Sequence, residues 1–150
     1  MRVHYTTYDM RREYDTINAR THADIMVLSG ETAPSHPYWY ARVLGIYHME
    51  TWLGCGEKQH LEVLYVRWLA PLMSSNYRPG ILHARLPKIA FVEESDYDAF
   101  GFLDPGQVIR GAHLIPAFAS GRGVSSLRHG KSLGRPNEEL DDWEEYYVGM

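Results

Sequence analysis

Eight histidines in a chain of 150 residues raise metal binding first. His4, His22, His36, His48, His60, His83, His113 and His129 are scattered, without the HExxH or HxxxH spacing that puts two ligands on one face. Histidines spread in this way are ordinarily polar surface, and His48 and His60 are the one pair expected to approach each other, across a hairpin. Carboxylates crowd at Glu93, Glu94, Asp96, Asp98 and Asp104. Such a group can hold a divalent cation, or run acid/base chemistry when burial separates the pKa values. These acids stand among Ser, Tyr and Gly and lack the alternating ligand spacing of a calcium loop, so solvated loop charge is the better reading. No GxSxG elbow, GxxxxGKS loop or GxGxxG turn occurs, and GRG at 121–123 and HGK at 129–131 are too short to specify a phosphate site. The sequence therefore assigns no catalytic residue, no metal ligand and no cofactor.

Aromatic side chains are the more informative group. Tyr38, Trp39, Tyr40, Tyr47, Trp52, Tyr65 and Trp68 fall on two neighbouring β-prone stretches, and alternation along a strand would send about half of them outward. Outward rings recognise cations or anchor protein interfaces. Tyr38, Tyr40, Tyr47, Tyr65 and Trp68 form the candidate partner-binding surface, while at least two of Trp39, Val43 and Trp68 are expected to build the core.

The elements that must position these rings follow from local pattern. Residues 3–8 (VHYTTY) read as a strand, and DMRREYDTIN after it as a loop with one helical turn at most. DIMVLS at 24–29 suits a buried strand. YWYARVLGIY at 38–47 reads as the central strand, with Gly45 placed for a bulge or a close backbone approach. GCGEKQ separates it from LEVLYVRWL at 61–69, as a hairpin loop separates antiparallel partners. Residues 70–88, with Pro71, Pro79, Gly80 and Pro87, read as a surface excursion. KIAFV at 88–92 is a further strand, Phe100 and Phe102 are expected to pin a turn-rich loop to the core, and residues 108–118 supply one or two short strands around Gly111. Five to seven short strands without a helical period predict a mainly β fold, a small antiparallel twisted sheet or β-barrel with long loops and few short helices. Residues 1–118 form that domain, 119–142 a flexible Gly/Ser-rich and then acidic linker, and 143–150 a terminal aromatic segment free to pack back on it.

Composition narrows the partners. A formal net charge of -4 gives no overall electrostatic footprint for nucleic acid. A local basic segment, Arg122, Arg128, Lys131 and Arg135, keeps DNA as an alternative ligand, against the plainer reading of a solvated tail. One cysteine, Cys55, excludes an intramolecular disulfide and fits a reducing, intracellular compartment. No apolar run approaches the length of a membrane span, and the first residues lack the apolar core of a secretory signal. The strand-like start and aromatic end suggest a domain taken from a longer chain.

Three segments in order resemble the bromo-adjacent homology (BAH) family: YARVLGIYH at 40–48, LEVLYVRWLAP at 61–71 and FLDPGQVIRGAHLI at 102–115. Ala41, Arg42, Val43, Ile46 and Tyr47 match the first motif, Val66, Trp68 and Pro71 the second, and Ile109, Arg110 and Gly111 the third. Over nearly its whole length the chain also resembles C-terminal domains of uncharacterised mushroom-fungal proteins associated with transposase-like Kyakuja-Dileera-Zisupton elements, through YTTYDMRREYDTIN, RTHADIMVLS, HPYWYARVLGIYH and DDWEEYYVGM. The BAH resemblance implies a β-barrel that binds protein partners, in several cases histone tails or nucleosomes through an aromatic methyl-lysine cage. Leu69 and Ala70 stand where that family often has further aromatics and an arginine, which leaves Tyr38, Tyr40 and Trp68 to supply part of a cage.

The expectation is a non-catalytic, nuclear protein-interaction module, an accessory domain of a fungal mobile-element protein directed at chromatin, a histone tail or a nucleosome. DNA binding through residues 122–135 and a scaffold role within a larger protein are the alternatives; an enzyme or metal protein built on the histidines and the 93–104 acids ranks third. Arg42 and Arg110 are expected to be structural, paired with loop acids such as Asp96 or Asp104.

Overall fold

The computed structural model describes residues 1–7, 9–30, 37–52, 54, 56–72, 86–122 and 143–149. Among them ten strands run in chain order: β1 (Arg2–Thr6), β2 (Arg12–Thr16), β3 (Asp24–Leu28), β4 (Tyr38–Thr51), β5 (Gln59–Pro71), β6 (Lys88–Phe91), β7 (Phe100–Leu103), β8 (Val108–Gly111), β9 (His113–Pro116) and β10 (Tyr146–Gly149). Single 3-10 turns at Tyr97–Ala99, Pro105–Gln107 and Phe118–Ser120 are the helical pieces among the described residues. The chain is thus mainly β and antiparallel, with more strands than the five to seven expected. No described helix is long and apolar enough to cross a membrane.

β4 and β5 are the two longest strands, of 14 and 13 residues, and they pair from Tyr40↔Leu69 to Thr51↔Gln59. β3 adds to the outer edge of the first half of β4, with Asp24↔Arg42 and Leu28↔Tyr38. On the far edge of β5, β7 occupies Leu64 to Arg67 and β6 occupies Leu69 to Pro71. The sheet continues from β6 through β10 to β9, and from β3 to β8 at its other end. β1 and β2 form a separate hairpin, packed near β8.

The sheet is not closed into a barrel. Its two ends, β8 and β9, follow each other in the chain with only Ala112 between them, too short a link to turn one back on the other. The ends are joined covalently instead, and the Ala112 N–H is satisfied by the carbonyl of Asp24 at 2.9 Å. A barrel was one of the two expected forms, and the open sheet is the one observed.

Two cores lie on the two faces of this sheet, as alternation requires. One face carries Ile25, Val27, Ala41, Val43, Leu64, Val66, Leu103 and Val108, covered by Val3 and Ile17 of the β1–β2 hairpin region. The other carries Met26, Tyr40, Leu69 and Ile89, covered by Tyr146 and Val148 of β10. The terminal segment supplies a strand of the sheet itself. β10 sits between β6 and β9, with Tyr146↔Ile89 on one side and Tyr147↔Ile115 on the other. Most of the 119–142 segment lies outside the described residues. Its first residues are anchored: Arg122 bridges to Trp143 and lies 5.2 Å over the Trp143 ring, and Phe118 meets that ring edge-on at 4.9 Å.

β2 replaces the expected loop at 12–16. Its residues are mostly exposed and polar, so no apolar alternation betrays it. What holds it is the ladder to β1 and one carboxylate: Asp15 accepts from the Gly111 N–H at 2.9 Å, with Arg110 at 3.8 Å. The 70–88 excursion is shorter than expected. β5 continues to Pro71, and residues 73–85 lie outside the described residues.

The structural arginines pair differently from the sequence expectation. Arg42 binds Asp24, its neighbour across the β3–β4 ladder, through Nε–Oδ1 at 2.7 Å and Nη2–Oδ2 at 3.3 Å, and Arg110 faces Asp15. Asp96 and Asp104 instead cap the 3-10 turns at Tyr97–Ala99 and Pro105–Gln107, accepting from the N–H of Asp98 and Gly106. Strand register places Asp24 beside Arg42, whereas a loop acid would have to be carried there by a free segment. Arg42 is 8% exposed and Arg67, its partner across β4–β5, 3%. Both guanidinium groups lie over Phe91, at 4.9 and 4.7 Å, which gives two like charges a shared polarisable surface.

Two predictions follow from these contacts. Asp24→Ala removes the counter-charge registered against a buried guanidinium and is expected to cost about 3 kcal/mol in urea unfolding, whereas Asp96→Ala, at an exposed turn, should cost about 1 kcal/mol or less. Lys88 Nζ donates to Glu145 at 2.5 Å, and Ser120 Oγ donates to the same carboxylate at 2.5 Å. The hydrogen bond to Glu145 raises Lys88 above its ordinary 10.5, and the bonds from Lys88 and Ser120 hold Glu145 below 4.5. Glu145 thus adds stability that is present above 4.5 and lost as pH falls through its lowered pKa, while that of Lys88 is full below 10.5 and lost as pH rises through its raised pKa. The difference in urea midpoint between the wild type and Glu145→Gln should be flat between about pH 5 and 10 and shrink outside that window.

Candidate functional site

The site is generated by one extra residue in β4. Pairing with β5 shifts register between Val43 and Gly45, leaving Leu44 without a direct opposite. A bulge of this kind moves every later side chain of its strand to the other face. Before it, Ala41 and Val43 point into the β1–β2-side core; after it, Gly45, Tyr47 and Met49 take the face that carries Tyr40 and Arg42. Gly45 meets both expectations made for it. The shift falls beside it, and the Tyr47 ring closes over it so tightly that a Cβ there would lie 2.8 Å from the ring.

β5 has no such break, so Leu61, Val63, Tyr65, Arg67 and Leu69 share that same face. Register sets Tyr47 against Val63 and Met49 against Leu61. β7 adds Phe102 opposite Tyr65 and Phe100 opposite Arg67. The Tyr65 ring stacks on Phe100 at 6.0 Å and 15° and leans on Phe102 at 5.3 Å and 41°. The result is a continuous strip: the buried Tyr40–Leu69 pair, then Arg42 and Arg67 on Phe91, then Tyr65, Phe100 and Phe102, then Tyr47, Val63, Met49 and Leu61. Its outer part is open to solvent, with Phe102 73% exposed and Tyr47, Met49 and Leu61 all exposed.

The five candidate aromatics separate on this frame. Tyr47 and Tyr65 are brought together. Tyr40 is 1% exposed and belongs to the core, where burial, with Tyr38 beside it, pushes its hydroxyl pKa up to about 12. It is unavailable as a binding surface. Tyr38 lies at the opposite end of the strip, packed on the β10-side core. Trp68 is on the other face: it packs on Val66 and its neighbours, meets Trp39 edge-on at 5.8 Å, and lays its indole against Gly101. Tyr38, Tyr40 and Trp68 therefore do not converge on a cage. Phe100 and Phe102, expected to pin a loop to the core, instead lie on a strand; Phe102 is the most exposed ring of the strip. Their i, i+2 spacing was the available signal, since it puts both on one face once β7 is recognised as a strand. The Tyr65, Phe100 and Phe102 rings rest on one another, so they offer a platform and not a gap between rings, and Arg67 already lies over Phe100 at 5.4 Å.

The polar candidates resolve as follows. His48 and His60 are not opposite each other across the hairpin; on the face away from Tyr47 each is registered against a carboxylate, His48 at 3.3 Å from Glu62 and His60 at 3.8 Å from Glu50. Among the described residues no three His, Cys, Asp or Glu side chains stand close enough to hold a metal ion. Of the 93–104 acids, Glu93 and Asp98 are exposed, and Asp96 and Asp104 are turn caps. Arg122 is exposed beside Trp143, and Arg128, Lys131 and Arg135 lie outside the described residues. The chain matches no protein-family model, no curated protein and no solved structure.

Folding and surface roles are separable by mutation. Trp68→Ala, which removes a ring wedged between Trp39 and Gly101, is expected to cost about 3 kcal/mol. Phe102→Ala should change stability by less than about 1 kcal/mol, because that ring is mostly in water. Urea unfolding followed by tryptophan fluorescence measures both.

Proposed function

We propose that this chain is a non-catalytic, BAH-like protein-interaction module that docks a protein partner on the Tyr47–Tyr65–Phe102 strip. A chromatin component, a histone tail or a nucleosome, is the partner class this reading favours, in the nucleus and as an accessory domain of a fungal mobile-element protein. One observation carries the binding part: large apolar side chains of three strands form one exposed surface, rimmed at its inner end by two buried arginines. A contiguous patch of this kind marks an interaction site, since isolated surface hydrophobics are ordinary and clustered ones are not. Aromatic platforms flanked by polar groups supply much of the binding energy at protein interfaces. The ordered matches from Ala41 to Gly111 support the chromatin part. The exposed rings at the outer end of the strip, Tyr47 and Phe102, away from the two arginines, suit an extended peptide whose cationic side chains meet ring faces while its backbone lies along the strip.

The test is a binding screen of the protein against nucleosomes, modified histone peptides and duplex DNA at two salt concentrations, with Tyr65→Ala and Phe102→Ala variants. Peptide or nucleosome binding weakened on the order of 10-fold in the two variants, with unchanged circular dichroism, supports the reading. Retained affinity in both variants rejects the strip as the site. Binding to DNA alone, with a steep loss at the higher salt, would shift the function to the basic segment at 122–135.

A further inference from the structure

The β4–β5 hairpin outruns the rest of the fold. Beyond Ile46 and Leu64 both strands continue as a two-stranded arm, 47–51 against 59–63, whose residues are exposed on both faces apart from the half-buried Val63. Among the described residues, β3 covers the outer edge of β4 only from Tyr38 to Arg42, and Val43 donates to the Ala23 carbonyl at 2.8 Å. From Leu44 to Thr51 that edge faces no described strand. A bare two-stranded ribbon is marginal in water, and an open edge beside apolar side chains is a template for another strand.

We infer that the outer edge of β4 pairs antiparallel with the same edge of a second copy of this chain, making a four-stranded sheet β5–β4–β4–β5 across a two-fold axis. The identity of the occupant comes from the side-chain pattern along that edge. Facing residues in an antiparallel pair project to the same side, so two copies keep their polar and apolar faces continuous only when facing positions share parity. Centring the axis on Met49 sets His48 opposite Glu50 of the other copy, twice over, and Met49 opposite Met49. Centring it on His48 sets histidine against histidine and Ile46 against Glu50, while centring on Glu50 sets glutamate against glutamate. Only the Met49-centred register sets a hydrogen-bond donor, the His48 ring, against a carboxylate, and complementary cross-strand neighbours stabilise where like charges facing each other destabilise. The contact is isologous and closes as a dimer, so it does not propagate into fibres. It uses the edge of β4 away from β5 and shares Met49 with the outer end of the strip, whereas Tyr65 and Phe102 lie on the β5–β7 side, so Tyr65→Ala and Phe102→Ala test partner binding without altering this edge.

The experiment is sedimentation equilibrium of the full chain together with disulfide trapping in a Cys55→Ser background. The expected result is a mass double the 17.3 kDa of one chain. Met49→Cys should cross-link readily between copies, because facing Cα atoms in an antiparallel pair lie about 4.5–5.5 Å apart, within disulfide range. Thr51→Cys, which would face Tyr47 of the other copy, should not. Met49→Glu, placing two carboxylates face to face, should return the protein to monomer with its circular dichroism unchanged and its Tm no longer dependent on protein concentration. A monomer up to about 100 μM, where a specific interface would be populated, overturns the proposal, as does a dimer that traps through Thr51→Cys and not through Met49→Cys.

Discussion

Everything in this protein is registered on the pairing of β4 with β5. The two strands are long enough to serve three functions along one ladder. The first half of β4 and the second half of β5 bury both faces and so separate two cores, Arg42 and Arg67 within that stretch rest against an aromatic ring, and the end of β4 with the start of β5 leaves the body as an arm. β3, β6 and β7 each attach to a different stretch of this pair, and β8 and β10 attach to those. A one-residue slip in the β4–β5 ladder would therefore exchange the faces of the whole sheet, which is why the displaced residue at Leu44 matters more than its size suggests.

The arginines explain how such a pair tolerates charge at its centre. Arg42 and Arg67 are cross-strand neighbours of like sign in a nearly dry setting, an arrangement that would be strongly unfavourable between bare charges. The bidentate Asp24 carboxylate and the Phe91 ring, on which both guanidinium groups rest, offset that repulsion. A planar, delocalised and weakly hydrated cation suits such a site, and an ammonium does not. The same residues mark where the strip passes from core to surface, so the chemistry that steadies the sheet also sets the inner rim of the exposed platform.

Sequence pattern disclosed the strands whose burial is written in their composition. DIMVL, the β4 and β5 stretches and KIAF are rich in β-branched and aromatic side chains, and Gly45 announced the bulge. β2 was illegible because a polar stretch of its kind reads as a loop: its residues, REYDT, are nearly all in water, and the contact that matters, the Gly111 N–H to Asp15, spans 96 positions. The same limit misdirected the arginines, since proximity of Asp24 to Arg42 is a fact of register and not of spacing. Of the candidate surface, Tyr47 and Tyr65 were legible as a pair on one hairpin. The separation of Tyr40 and Trp68 from them depends on which face is buried at each end, and the addition of Phe102 depends on β7 lying against β5; neither is encoded locally.

The junction at Ala112 has a consequence for how the chain reaches its native state. Because β8 and β9 are consecutive yet stand at opposite ends of the sheet, and β10 fills the place between β9 and β6, the strand order cannot be completed by successive neighbours. As the polypeptide emerges during synthesis, β1 to β8 can form their ladders, but β6 and β9 face an empty lane until Tyr146 to Gly149 have left the ribosome. Assembly of the sheet is thus gated by its final strand, and pairings of such large sequence separation are intrinsically slow to form. The nascent domain spends that interval with Met26, Tyr40 and Ile89 uncovered, a period in which chaperones would meet it.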